Sequence, residues 1–177
     1  MKSGSQPRLE DALRPVPTYA RAVREVSKMF SNAGIRHALV GALGANAYRN
    51  RPRTTEDIDF LVGDEAFETH PGGFVTMRVP VVEFDGIDID QVPLTEPLRV
   101  IEDGLERAQH SDGVPIAPVD TIVVMKLIAN RTQDLADIEA IIESGADREL
   151  LRKAVRKAAP DREPHLDRLF QNVDERR

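Results

Sequence analysis

Two short runs of the chain carry aspartate at every second position. They are "EDIDFLV", with Asp57 and Asp59, and "GIDIDQV", with Asp88 and Asp90. Aspartate is a poor strand former, whereas the Ile, Phe and Val around it are good ones. In a strand, positions i and i+2 face the same way, roughly 6.5 to 7 Å apart. Asp57 and Asp59 therefore share one face, and Ile58 and Phe60 share the other. Likewise Asp88 and Asp90 oppose Ile87 and Ile89. If the two strands are neighbours, three or four carboxylates converge. Without a cation they would repel one another and raise each other's pKa values. Oxygen donors with no His or Cys beside them favour a hard cation, Mg²⁺ or Mn²⁺. Such cations stabilise attacking and leaving oxygens in phosphoryl chemistry. An ordinary solvated sheet face also carries such pairs, and the pattern alone does not separate the two readings. "DGIDID" lacks the order and the closing Glu of a calcium loop, and its alternating isoleucines fit a strand better.

Two features flank the acids. "HALVGALGANAY" reads as a strand, Gly41 and a helix start, where free backbone N–H groups attract phosphate. Gly41 has no side chain to block that approach. A plain strand-to-helix turn has the same pattern. "YRNRPR" places Arg49, Arg51 and Arg53 just ahead of Asp57. That is a local positive cluster beside a negative pair, or a solvated loop.

The bulk properties narrow the classes. A chain of 177 residues holds one domain with a real core, with room for a small helical appendage. A net charge of −6 argues against binding nucleic acid over the whole surface, though not against a local basic site. No apolar run is long enough to cross a membrane, and the first residues lack the apolar core of a secretory signal. There is no cysteine, so disulfides and thiolate chemistry are excluded and the cytoplasm is the expected location.

The elements that must position these groups follow from periodicity and punctuation. Residues 1–16 read as a flexible N-terminal arm. Ala20, Val23, Val26, Met29 and Phe30 recur at helical spacing, with Gly34 as the stop. "RHALV" and "EDIDFLV" read as strands around the short "ALGANAYR" helix. Residues 64–73 read as a loop. "FVTMRVPVVEF" and "GIDIDQV" form a hairpin through Asp85-Gly86, with Pro80 confining the first to an edge or bulge. "EPLRVIEDGLERAQ" reads as an amphipathic helix. "PVDTIVVMKLIAN" reads as a more buried one, and "DLADIEAIIESG" continues helically to Gly145. Further helices are expected over 147–159 and 164–171. The sum is an α/β or α+β domain, with a small mixed sheet flanked by helices. Residues 17–145 are the expected domain, and 146–177 a C-terminal helical extension.

The joint order "LVGALGANAY", "RPRTTEDIDFLV", "GIDIDQV" resembles the nucleotidyltransferase superfamily shared by polymerase beta, kanamycin nucleotidyltransferase and the minimal nucleotidyltransferases. Within it, R-x-T-x-D-I-D is most similar to the abortive-infection type toxins. "APVDTIVVMKLIANRTQDLADIEAII" is similar to their Lys-containing helix followed by an Arg-x-x-Asp-x-x-Asp run. The resemblance covers roughly residues 35 to 145. It implies a metal-dependent enzyme that moves a nucleoside monophosphate from an NTP to an acceptor hydroxyl on an RNA end, a protein or a small molecule. It also implies a setting beside an antitoxin partner. By position, Asp57, Asp59 and Asp90 become metal ligands and catalytic groups, with Asp88 in reserve. Gly41 and Ala42 become the turn facing the triphosphate, and Arg53, Thr55 and Lys126 its further contacts. For Lys126 a snorkelling position at a helix edge is the alternative, and for Arg131 with Asp134 and Asp137 it is pairing within the helix. The pair Gly41-Ala42 stands where the family has Gly-Gly or Gly-Ser, and this leaves room for a non-catalytic protein that binds a nucleotide or a partner.

Overall fold

The computed structural model describes residues 6–99 and 103–176. Helix α1 (Leu9–Leu13) precedes α2 (Ala20–Asn32), which buries Val23, Val26 and Phe30, the stripe their spacing requires. Gly34, at φ 69°, turns the chain into strand β1 (His37–Leu39). After α3 (Gly41–Asn46) come β2 (Asp57–Val62), β3 (Phe67–Thr69), β4 (Val75–Met77), β5 (Glu83–Phe84) and β6 (Ile87–Pro93). Then follow α4 (Glu96–Arg99), α5 (Asp103–Glu106), β7 (Gln109–Ser111) and β8 (Val114–Ile116). The chain finishes on α6 (Val119–Ala129), α7 (Thr132–Glu143), α8 (Arg148–Ala158) and α9 (Glu163–Glu175).

Six strands form one mixed sheet in the order β5-β6-β2-β1-β8-β7, and β3 pairs with β4 separately. Strand β2 runs antiparallel to β1 and parallel to β6, with Asp57 opposite Asp88 and Asp59 opposite Asp90. Alternation then divides the core. Ile58, Phe60 and Val62 face α1 and α2, together with Leu39, Ile89 and Ile116. Leu61, with Ala38 and Val40, faces the layer of α6 to α9. Asp57 and Asp59 share the face of Leu61 by the same period of two. The sheet is thus covered by helices on both sides, and the carboxylates emerge where one cover ends.

Three expectations need correction. Part of the flexible arm is a packed helix, because Leu9, Ala12 and Leu13 are apolar at one-turn spacing and are buried under the sheet. Its first five residues lie outside the described ones. The amphipathic helix expected over 96–109 stops at Glu106: the described residues are helical at Glu96–Arg99 and Asp103–Glu106, 100–102 lie outside the described residues, and Gln109 already belongs to β7. The third correction is the loop expected over 64–73, which holds β3, paired with β4. A hairpin that periodicity did not show, β7–β8, is closed by Asp112-Gly113 at φ 51° and 77°. Asp85-Gly86 closes β5–β6 with nearly the same angles, 53° and 76°. Both fit the Asp-Gly preference of two-residue hairpin turns. The helices over 148–158 and 163–175 contribute Leu151, Val155, Leu166, Phe170 and Val173 to the same apolar cluster as Leu61.

Candidate functional site

Two neighbouring strands bring the acids to one place. Asp57 and Asp59 on β2 and Asp90 on β6 each offer a carboxylate oxygen, and these oxygens lie within 4.8 Å of one another. The parallel β2–β6 register puts Asp59 beside Asp90, so the convergence follows directly from strand pairing. Asp88, opposite Asp57, is exposed and stands outside this group. Among the described residues no lysine or arginine forms an ion pair with Asp57, Asp59 or Asp90. Burial pushes the Asp59 carboxyl up to about 6, helped by the charges of Asp57 and Asp90 and opposed by Lys126 and Arg131. Converging carboxylate oxygens that no lysine or arginine pairs with directly, among the described residues, fit a hard divalent cation.

Gly41 sits directly against this group. It follows β1, has φ 61°, and a Cβ built on it would lie 1.8 Å from Asp59 Oδ2. Glycine is therefore required twice, by the backbone angle and by the approach of the carboxylate. Val40 N–H donates to the Asp59 carbonyl at 3.0 Å, which ties the turn to β2. Ala42 is buried in the first turn of α3.

Arg53, Thr55 and Lys126 all line the same cleft, but each is already engaged. Thr55 Oγ1 donates to Asp57 Oδ1 at 2.5 Å. Arg53 makes a bidentate pair with Asp137, at 2.9 and 3.0 Å. Lys126 is buried and donates to Asp134 at 3.1 Å and Asp137 at 2.7 Å. It does not snorkel to solvent. Arg49 also donates to Asp137, and Arg131 to Asp134 at 2.7 Å. Four cations thus share two carboxylates. Burial would raise the Asp137 carboxyl, but the Arg53 hydrogen bonds and the Lys126 charge prevail and hold it at about 2. The expected pairing of Arg131 within its helix holds for Asp134. Asp137 instead reaches across to α6 and to the loop before β2.

Sequence reasoning gave Asp137 no such part. Its signal was the Arg-x-x-Asp-x-x-Asp spacing, but its partners are distant in the chain. Asn46 was missed as well. It is fully buried and exchanges two hydrogen bonds with the Arg53 backbone, at 2.8 and 3.0 Å.

The cleft that joins these walls has a volume of about 920 Å³. Its acidic side is Asp57, Asp59 and Asp90, and its basic side is Arg53, Lys126 and Arg131. Val40, Val92, Leu98, Ile122, Met125 and Ile128 form an apolar side. A concave, part-apolar space with convergent polar groups is what a small-molecule site requires. Among the described residues no helix is long and apolar enough to cross a membrane.

No family model matches the chain, and no curated protein sequence does. Among solved structures it is similar to an antigenic nucleotidyltransferase-like protein from Paracoccidioides brasiliensis. The two share 15% identity, 97% of this chain and 91% of that one are covered, and the TM-score is 0.48. A likeness of that degree carries no argument about chemistry.

Proposed function

We propose that the protein is a metal-dependent nucleotidyltransferase of the polymerase beta-like kind, moving a nucleoside monophosphate from an NTP to an acceptor hydroxyl. The observation that carries this reading is the meeting of Asp57, Asp59 and Asp90, none of them in an ion pair among the described residues, directly beside Gly41. In the reaction the acceptor oxygen attacks the α-phosphorus, the bond to the bridging oxygen breaks, and pyrophosphate leaves. Bound Mg²⁺ or Mn²⁺ would supply charge stabilisation for both oxygens. Asp57 and Asp59 are the deeper ligands. Asp90 is exposed at the rim, where the acceptor enters, and takes part as ligand or base. Gly41 and Ala42 leave the triphosphate room along the turn before α3. Lys126, Arg53 and Arg131 give the opposite wall its positive potential while staying held by Asp134 and Asp137.

In this reading residues 17–145 carry the chemistry and 146–177 brace it. The setting is a cytoplasmic one, as a toxin of the abortive-infection type with an antitoxin partner. The acceptor is an RNA end, a protein or a small molecule. One observation favours a second reading, a catalytically inactive protein that binds a nucleotide or partner. Ala42 is buried where a serine hydroxyl would meet a phosphate.

The test is incubation of the purified protein with each α-labelled NTP, Mg²⁺ or Mn²⁺, and total RNA or protein from its host. Label on an acceptor, absent with an Asp57→Asn, Asp59→Asn double variant, is the expected outcome. NTP binding without transfer would favour the second reading. Neither binding nor transfer would remove both.

A further inference from the structure

Building on the assignment of Asp57, Asp59 and Asp90 as cation ligands, we infer that Thr55 is a positioning residue for Asp57 and not a contact for the nucleotide. A threonine hydroxyl has one O–H to donate. That of Thr55 is committed to Asp57 Oδ1 at 2.5 Å, leaving none for a phosphate oxygen. A hydroxyl bonded to an ionised carboxylate is among the shorter and stronger hydrogen bonds. It fixes the rotation of the Asp57 carboxylate, and among the described residues no other donor reaches that group.

The segment behind Thr55 is itself immobilised. Tyr19, just before α2, donates its hydroxyl to the Thr55 carbonyl at 3.0 Å. Two residues earlier, Asn46 grips the Arg53 N–H and carbonyl, at 3.0 and 2.8 Å, as a neighbouring strand would. Asn46 is fully buried on α3, so this grip does not compete with water. Residues 53–55 are thereby fixed from two elements outside the loop before β2 begins. A carboxylate that binds a cation needs such an outer hydrogen bond to present its oxygens in one orientation. Loss of such a partner costs about 10- to 100-fold in metal affinity.

The experiment uses the full chain without nucleotide and follows free Mn²⁺ by electron paramagnetic resonance. The unmutated protein, Thr55→Val, Thr55→Ser and Asp59→Asn are compared, each also melted in EDTA. Thr55→Val keeps the shape and loses the hydroxyl, and its Mn²⁺ affinity is expected to fall about 10- to 100-fold. Thr55→Ser, which keeps the donor, is expected to stay near the unmutated value. A merely structural role would lower the melting temperature of Thr55→Val in EDTA and leave its Mn²⁺ affinity unchanged, which overturns the inference while the cation site stands. Absence of Mn²⁺ binding in the unmutated protein, or unaltered binding in Asp59→Asn, overturns the cation site and the role of Thr55 with it. If Thr55→Val does not fold, Tyr19→Phe loosens Thr55 without removing its hydroxyl. Weaker Mn²⁺ binding in that variant supports the inference, and unchanged binding overturns it.

Discussion

A methyl group at position 41 would lie 1.8 Å from Asp59 Oδ2, so glycine and carboxylate are packed as one unit. Burial, with the charges of Asp57 and Asp90 beside it, pushes the Asp59 carboxyl up to about 6. The folded protein holds the Asp59 proton more tightly than the unfolded chain does, whose value is near 3.8. Asp59 therefore favours the folded state fully below about pH 4, and that contribution is lost as pH rises through about 6. On the order of 2 to 3 kcal/mol is involved, since each pKa unit is about 1.4 kcal/mol. Asp59→Asn is neutral at every pH. It is expected to raise the melting temperature of the cation-free protein at pH 7.5 and to have much less effect at pH 4. Melting curves in EDTA at the two pH values check this, and an equal shift at both would show that the charge on Asp59 is not its source.

At the scale of elements, the site depends on how α6, α7 and the loop before β2 are joined. Asp137 on α7 receives Arg49 and Arg53 from the loop and Lys126 from α6, and its side chain is 1% exposed. Removing one partner from a buried ion group leaves uncompensated charge, which costs about 3 to 5 kcal/mol. Asp137→Asn is expected to lose that much in urea unfolding, well above the effect at an exposed pair such as Arg148–Asp174. Arg53→Ala should follow it in direction, with a lower melting temperature before any nucleotide is added. A change within about 1 kcal/mol in Asp137→Asn would mean the network is dispensable to the fold. These elements also show what the chain discloses locally. β2 and β6 are long enough for their alternation to be read, and so both the carboxylate face and the hairpin at Asp85-Gly86 were legible. β7 has three residues, Gln109, His110 and Ser111, none of them apolar, so no period could register. The helix Leu9–Leu13 is five residues long and shows its purpose only once packed. Spacing found the Arg131–Asp134 pair because both are on one helix turn. It could not find Asp137's partners, which are 11 to 88 positions away.

At the scale of the whole molecule, the site belongs to both halves of the core. β2 carries Asp57 and Asp59 on one face and Ile58 and Phe60 on the other, so it is anchored between the α1–α2 layer and the α6–α9 layer. Asp57 and Asp59 on β2 meet Asp90 on β6 through strand pairing, so the cation site exists only where the sheet is formed. A cation that binds only the folded form must then stabilise the entire chain, by roughly 1.4 kcal/mol at ten times its dissociation constant. A protein with net charge −6 has a second reason to gain from added salt, because ions screen its self-repulsion. The two effects separate by ionic strength and by mutation. At constant ionic strength set with KCl, Mg²⁺ or Mn²⁺ is expected to raise the melting temperature further, with a hyperbolic dependence on concentration. The Asp57→Asn, Asp59→Asn double variant should keep the KCl effect and lose the divalent one. Screening alone would give the same rise in both proteins at matched ionic strength, and that result would place the cation's action away from these carboxylates.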